Sequence, residues 1–245
     1  MNWPEKRNAL GPGDTREVGD AIERAGTLAT IGVILTGVGA FCAGGDLEQF
    51  AELSANSSPQ EVRGRIYENV HSVLRSIRGC AVPVVAAVDG PAVGLGLDYA
   101  LACDMCFIGT NGWMQQGWAL AGLVHGAGGS AFVQRAAGPL LWKLITEQER
   151  LDGEKAQLLG IGEAIDGRAL NFAVERLHQL GQLPREVLEA YTTLYRRERW
   201  PSDEFFELCA DYQSRFIASE TFRARARDIL DERAQRGGVR PADRV

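Results

Sequence analysis

The chain has 245 residues, of which 45% are hydrophobic and 24% are charged, the balance of an ordinary folded protein. A chain of this length can bury a core without disulfides, so its composition excludes disordered, collagen-like and disulfide-scaffold proteins. The formal net charge is −6, and basic side chains are interleaved with acids, which gives no electrostatic footprint for a nucleic acid partner.

The cysteines and the apolar runs indicate a cytoplasmic protein. A lone Cys103-x-x-Cys106 pair lies inside an apolar run, which predicts buried free thiols in a reducing compartment rather than a zinc or redox site. No signal peptide opens the chain, and no apolar stretch approaches the roughly 20 residues of a membrane helix. We therefore expect no membrane partner.

Helical and strand-like patterns alternate through the first part of the chain. Apolar residues at helical spacing, or in short runs closed by turn residues, predict the helix Thr15–Ala25, the strand Thr30–Gly37, the helix Pro59–Ile77, the strand Val82–Val88, the helix Gly96–Ala102 and the strand Cys103–Gly109. This alternation predicts an α/β fold with parallel strands.

The last quarter of the chain is predicted to be helical. Helices are expected at Glu186–Trp200, Phe205–Phe216 and Ala218–Arg236, the last ended by Gly237-Gly238 with frayed residues beyond. This change divides the chain into an α/β core over residues 1–180 and a helical region over residues 181–245. The apolar faces of the helical region are too broad for a solvated appendage, so we expect them to pack on a neighbouring subunit.

Two glycine-rich connections, 37–47 and 89–100, follow predicted strands. Glycine lets the backbone approach a ligand closely, and free N–H groups from two such turns can stabilise an oxyanion. The Gly94-x-Gly96 pair does not start a dinucleotide-binding fingerprint, because Tyr99 occupies the place of its last glycine, and no P-loop lysine follows. On these residues alone, a purely structural pair of turns stays open.

Taken together, the motifs resemble the crotonase superfamily, also called the enoyl-CoA hydratase/isomerase superfamily. The matching segments are 3–10 (WPEKRNAL), 33–47, 83–104 and 122–129, so the resemblance covers about residues 3 to 180. It implies a crotonase-like ββα spiral with a helical C-terminal trimerisation region, assembled as trimers or hexamers. The family's first strand pair normally precedes the first segment, so we expect either a start further upstream or a sheet trimmed by a hairpin, with an exposed edge.

The resemblance also implies an acyl-CoA thioester as ligand, with no metal and no cofactor beyond the coenzyme A of the substrate. The thioester carbonyl would lie between the backbone N–H groups of Gly45 and Leu95. The residues implied to bind the substrate and its coenzyme A are Ala43, Gly45, Asp46, Leu47, Glu48, Leu95 and Trp118. From the residue pattern itself, Asp46 and Asp89 are also expected to cap turns.

The implied catalytic acids depart from the family pattern. The first acid position falls on Asp98, and the second falls on Trp118, which cannot shuttle a proton. Asp98 would then be the only acid/base, although an aspartate in a first helical turn also complements the helix dipole. One carboxylate suits proton transfer between carbons better than hydration, so we expect a lyase or isomerase of this family with slow hydration.

Two alternatives stay open. The first is a catalytically weak CoA-binding homologue or accessory subunit. The second resembles 4-chlorobenzoyl-CoA dehalogenase, which matches Trp118 and a histidine base at His71, but its nucleophilic aspartate would fall on Gly126. His125 is next to that position and is the other candidate base. The sequence alone identifies no catalytic partner for either histidine. We therefore expect His71 to be a helix histidine whose ring nitrogens are hydrogen-bonded within the fold, and His125 to be a surface or supporting loop histidine.

Overall fold

A computed structural model describes residues 1–28 and 31–237 of the chain. The predicted strand start at Thr30 and the predicted fraying beyond Gly237 lie outside these residues. The helices are α1 (Pro12–Thr27), α2 (Leu47–Asn56), α3 (Pro59–Arg65), α4 (His71–Gly79), α5 (Leu95–Ala102), α6 (Gly129–Ala137), α7 (Leu140–Glu147), α8 (Gly153–Leu158), α9 (Ala169–Leu180), α10 (Arg185–Arg199), α11 (Asp203–Ile217) and α12 (Glu220–Gly237).

Two small sheets lie among these helices. Their strands are β1 (Val33–Leu35), β2 (Val84–Val88), β3 (Pro91–Val93), β4 (Met105–Ile108), β5 (Trp113–Gln115), β6 (Leu151–Asp152) and β7 (Glu163–Ala164). The first sheet has the order β1-β2-β4-β7 and is parallel throughout, which confirms the predicted parallel strands. The second has the order β3-β5-β6, and its β5–β6 pair is antiparallel.

Strand β2 lies at the centre of the first sheet and is buried along its whole length. Ile34 of β1 pairs with Val85, and Cys106 of β4 pairs with Ala86. A parallel strand covered on both faces needs a continuous apolar sequence, which is why the run ending at Val88 has no polar alternation. The loops after β1 and β2 carry the two glycine-rich turns.

The predicted helix Pro59–Ile77 is divided into α3, a π-turn at Ile66–Val70 and α4. Val62, Ile66 and Val70 are all buried, and they recur every four residues. In an α-helix of 3.6 residues per turn, side chains spaced four residues apart move gradually around the helix. One wider π-turn keeps these three side chains on the same face.

The helical region joins the core rather than standing apart from it. Trp200, Phe206 and Phe222 are buried in the same apolar cluster as the side chains of β2 and α5. The predicted helices match α10, α11 and α12 to within two residues at each described end. The division into two domains near residue 180 stays a prediction.

The cysteines are free thiols, as predicted. Four are buried and Cys106 is half-buried. Burial raises the pKa of Cys42 to about 12, so its thiol stays protonated at neutral pH. No helix within 1–28 and 31–237 is long and apolar enough to cross a bilayer.

Candidate active site

The two glycine-rich turns lie side by side. Cys42 N donates to Pro91 O at 3.0 Å, and Val93 N donates to Cys42 O at 2.9 Å, so the turns form a short parallel bridge. A Cβ atom at position 96 would lie 2.3 Å from Cys42 O, so the approach requires glycine there. Gly94 has φ 55° and ψ −110°, a conformation that side-chain-bearing residues rarely adopt.

Each turn has a backbone N–H group that donates no hydrogen bond to any described residue: those of Gly45 and Leu95. Leu10 bonds the flanking residues, donating to Gly44 O at 2.9 Å and accepting from Asp46 N at 3.0 Å. Gly45 therefore takes part in none of these bonds. Leu95 is the first residue of α5, where an amide has no acceptor within the helix.

A cavity of about 760 Å³ opens beside these turns. Gly44 and Gly45 line it from the first turn, and Val93 and Gly94 from the second. Its apolar wall consists of Leu47, Phe50, Trp113, Trp118, Leu120, Ala121, Leu123, Ile217, Phe222 and Ile229. The cavity combines free amide donors with an apolar lining, the usual character of a small-molecule site.

Four arginines also line the cavity: Arg7, Arg150, Arg225 and Arg233. Two acids, Asp228 and Glu232, lie among them, which leaves the set two positive charges in excess. Desolvation and the neighbouring Arg7 charge lower the pKa of Arg233 from its ordinary value, while Asp46 opposes them. An anionic ligand would relieve this repulsion between the guanidinium groups.

Asp98 lies in the first turn of α5, behind the cavity wall, and its side chain is fully enclosed. Trp118 Nε1 donates to its Oδ2 at 3.1 Å, and His125 Nδ1 lies 2.7 Å from its Oδ1. Both oxygens are thus hydrogen-bonded, as a buried carboxylate requires. Oδ2 is thus bonded to a residue that lines the cavity, whereas Oδ1 is bonded to one that does not.

Asp46 and Glu48 are not among the residues that line the cavity, and the binding role implied for them stays a prediction. Asp46 is the N-cap of α2, where Oδ1 accepts from Gln49 N at 3.2 Å, and the exposed Glu48 side chain follows it. Asp89 is not an N-cap residue, but its carboxylate reaches the start of the distant helix α9 and accepts from Ala169 N at 2.6 Å and from Leu170 N at 3.2 Å. Asp46 thus caps the helix that it begins, as expected, whereas Asp89 bonds to a helix far along the chain rather than to its own turn.

The other two candidate histidines have different surroundings. His125 is enclosed against Asp98, so it is not a surface histidine. His71 lies outside the cavity lining, and its Nε2 is 2.7 Å from Gly126 O. Of the remaining implied residues, Ala43 lines the cavity, whereas Leu95 presents its amide and buries its side chain.

Sequence reasoning missed the arginines and the apolar residues contributed by α11 and α12, which are far in sequence from the two turns. The interleaving of Arg225 and Arg233 with acids is typical of a solvated helix face, and nothing in that pattern pointed to a cavity. Arg7 was within the N-terminal signature, but its role depends on the approach of α12, which one sequence does not reveal.

Comparisons with known proteins identify the family. The sequence profile of the enoyl-CoA hydratase/isomerase family matches residues 1–232. Mouse enoyl-CoA hydratase domain-containing protein 2, mitochondrial, is 35% identical over 196 residues, covering 73% of this chain and 64% of that protein. The chain thus matches just under two thirds of the mouse relative's length. A Mycobacterium tuberculosis protein named probable enoyl-CoA hydratase EchA14 is 31% identical over 205 residues, which cover 82% of this chain and 78% of that protein.

Solved structures show the same fold. An enoyl-CoA hydratase/isomerase from Mycobacterium paratuberculosis superposes with a TM-score of 0.82 at 23% identity, covering 92% of this chain and 91% of that one. An enoyl-CoA hydratase from Bacillus halodurans gives a TM-score of 0.82 at 21% identity, covering 93% of this chain and 94% of that one. The predicted crotonase-like fold is confirmed, and the chain belongs to the enoyl-CoA hydratase/isomerase family.

Proposed function

We propose that this protein is an acyl-CoA thioester enzyme that stabilises a thioester enolate between the amides of Gly45 and Leu95. The observation that carries this proposal is the pair of free N–H donors on two bridged turns beside one cavity. Preorganised donors of this kind are worth about 3 kcal/mol each to a developing oxyanion. Two relatives are named as a probable enoyl-CoA hydratase and as a methylglutaconyl-CoA hydratase, which supports a thioester substrate.

The cavity suits a coenzyme A ester at both ends. Its apolar wall would take the acyl group, and the arginines would pair with the phosphates of the coenzyme A moiety. Ala43, Gly45 and Leu47 would line the pantetheine path next to the free amide. Asp46 and Glu48 have no part in this proposal, because the first caps α2 and the second is exposed.

Asp98 is the proposed acid/base. Its Oδ2 would take a proton from a carbon of the bound thioester and return it to the same or another carbon. The Trp118 indole caps Oδ2, so it has to withdraw before this exchange. Gly117 and Gly122, both with positive φ (66° and 73°), flank the segment that carries Trp118.

The reaction class follows from the number of proton-transfer groups. The chain has no Asp or Glu between Asp104 and Glu147, so Trp118 has no neighbouring acid in its own segment. Hydration needs one group to hold the water and another to manage a second proton. We therefore expect isomerisation or enolate protonation to be faster than crotonyl-CoA hydration.

A panel of enoyl-, β-oxo- and aryl-CoA thioesters tests this proposal. Wild-type protein should turn over at least one member, and Asp98→Asn should lower that rate by roughly 100-fold or more. The matched control is Asp89→Asn, which changes a carboxylate bonded to the start of α9 and should keep the rate. Crotonyl-CoA hydration at ordinary enzyme rates, or an unchanged rate in Asp98→Asn, would contradict the proposed chemistry.

A second candidate function is a CoA-binding homologue with weak catalysis, acting as an accessory subunit. The complete enclosure of Asp98 favours it, because the carboxylate does not meet a ligand in this conformation. It predicts that acetyl-, crotonyl- and benzoyl-CoA raise the melting temperature by mass action, without turnover of any panel member. The dehalogenase-like alternative is not favoured, since His71 lies outside the cavity and Gly126 offers no nucleophile.

Assembly and location complete the proposal. We expect a homotrimer or homohexamer, because α10 and α11 expose large apolar side chains on the described surface. We expect a cytoplasmic protein from the cysteine usage, whereas the animal relatives are named as mitochondrial. Neither metal nor redox cofactor enters the proposed chemistry.

A further inference from the structure

We infer that His125 is a positioning residue for Asp98: it fixes the orientation of the carboxylate, so that Oδ1 faces the imidazole and Oδ2 faces Trp118 and the cavity. This inference rests on the proposed function, in which Asp98 exchanges a proton with the substrate. His125 Nδ1 lies 2.7 Å from Asp98 Oδ1, and only 4% of the histidine side chain is exposed. No other histidine among the described residues contacts this carboxylate.

The surrounding hydrogen bonds fix which imidazole nitrogen carries the proton. His125 Nε2 lies 3.4 Å from Gln116 Nε2. The amide oxygen of Gln116 accepts from Ala119 N at 3.2 Å and from Gln148 Nε2 at 2.9 Å, so its NH₂ group faces the imidazole. His125 Nε2 is therefore an acceptor, and Nδ1 carries the hydrogen that is donated to Asp98.

Two helix N-termini support the negative charge at the same point. Asp98 lies near the N-terminus of its own helix, and Gly129 begins α6 directly against the carboxylate. A Cβ atom at Gly129 would lie 1.8 Å from Asp98 Oδ1 and 2.7 Å from His125 Nδ1. The glycine lets the positive end of the α6 dipole approach the anion, with the imidazole N–H as its neighbour.

The turn that carries His125 is itself held in place. Gly128 N donates to His125 O at 3.0 Å, and Val124 N donates to the side chain of Gln213 at 3.2 Å. His71 Nε2 donates to Gly126 O from the other side. A ring fixed in this way selects one orientation of the Asp98 carboxylate, with Oδ1 turned to the imidazole and Oδ2 to Trp118.

The first measurement is independent of activity. Long-range ¹⁵N NMR of histidine-labelled protein at neutral pH should show one histidine in the Nδ1-protonated tautomer, and His125→Asn should remove that signal. His71 is expected to be Nε2-protonated, because that nitrogen faces a carbonyl. An Nε2-protonated His125 in the wild type would overturn the inference, whatever the protein catalyses.

The second measurement compares two variants of His125. An asparagine NH₂ group can replace the Nδ1 donor, whereas leucine keeps the bulk and loses the donor. With the thioester that the wild type turns over, His125→Leu should lower kcat by roughly 100-fold at an unchanged KM, and His125→Asn should stay within about tenfold of the wild type. His178→Leu, a change at an exposed histidine, should keep the wild-type rate.

The outcomes separate this inference from the proposed function. Equal kcat values for His125→Leu and wild type, or an asparagine variant no better than the leucine variant, would overturn the positioning role. If no thioester is turned over and none exchanges its α-protons in D₂O, the proposed function fails. The tautomer measurement then still decides whether His125 donates to Asp98.

Discussion

Trp118 has two roles at the residue scale: its side chain lines the cavity, and its indole Nε1 donates a hydrogen bond to the enclosed carboxylate of Asp98. Trp118→Phe keeps an aromatic wall but leaves Oδ2 without that donor. We predict a loss of about 1–3 kcal/mol in the free energy of unfolding, measured by urea denaturation. Trp142→Phe is the control, because that side chain is 70% exposed and should change stability little. Equal stability of the two variants would contradict the importance of this hydrogen bond.

His71 should make stability depend on pH. Burial, aided by the Arg75 and Arg63 charges, lowers its pKa to about 4, against the opposing effect of its bond to Gly126 O. The unfolded chain, with an ordinary histidine pKa near 6.5, binds more protons between these values, so this stability is present above about pH 6.5 and lost towards pH 4. The histidine should contribute a loss of about 2 kcal/mol between pH 7 and pH 5.

The variant His71→Phe isolates this contribution, because the carboxylates titrate in both proteins. Urea unfolding at pH 7 and pH 5 should give a smaller loss for the phenylalanine variant than for the wild type. Identical losses would show that His71 is protonated normally in the folded protein.

The sequence predicted the site residues that belong to motifs and missed those that depend on side-chain packing. The placing of the oxyanion donors at Gly45 and Leu95 came from the family resemblance, since the glycine spacing alone left a purely structural pair of turns open. The enclosure of Asp98 behind Trp118 did not, because it depends on contacts across 20 positions of the chain. The contact of Asp98 with His125 requires the loop before α6 to pack against α5, 27 residues away in sequence. No local sequence pattern predicts that packing.

At the scale of elements, one buried ion pair fastens α10 to the sheet. Arg196 Nη2 lies 2.6 Å from Asp104 Oδ2, and the two side chains are 6% and 7% exposed. The same guanidinium donates to the backbone carbonyls of Cys80 and Val82, so it also holds the loop before β2 in place. In the sequence, basic and acidic residues are interleaved around Arg196, a pattern typical of a solvated helix face that gives no sign of this buried pair.

Removing one partner of this pair leaves an uncompensated buried charge. We predict that Arg196→Leu lowers the free energy of unfolding by about 3–5 kcal/mol. Arg16→Leu is the control, since Arg16 pairs with Asp20 on the surface, where such pairs contribute at most about 1 kcal/mol. A cost below about 1 kcal/mol for Arg196→Leu would show that α10 is held by its apolar contacts alone.

The longer elements could be predicted from their periodicity, and the shorter ones could not. Strands β6 and β7 have two residues each, too few for an alternation to be visible. Their places are set by pairing with Met114 of β5 and Phe107 of β4. The π-turn between α3 and α4 was hidden because its apolar residues also fit an approximate helical pattern.

For the whole molecule, assembly is the main prediction. Two helices expose large apolar side chains: α10 exposes Tyr191, Leu194 and Tyr195, and α11 exposes Leu208 and Tyr212. The exposed fraction is 66% for Tyr191 and 61% for Leu194. Burying these side chains between subunits would remove apolar area from water, so we predict a trimer or hexamer by light scattering. Leu194→Glu should weaken it, whereas Arg16→Leu should not. A stable wild-type monomer at micromolar concentration would refute the assembly.

The central claim is that the Gly45 and Leu95 amides hold a thioester oxygen. A crystal structure with a non-reactive acyl-CoA analogue tests it most directly, since it locates the oxygen, the Trp118 indole and the coenzyme A phosphates at once. We predict a carbonyl oxygen within about 3.1 Å of both nitrogens, with the phosphates against the arginines of the cavity. A thioester bound elsewhere, or an oxygen that contacts neither amide, would contradict the claim.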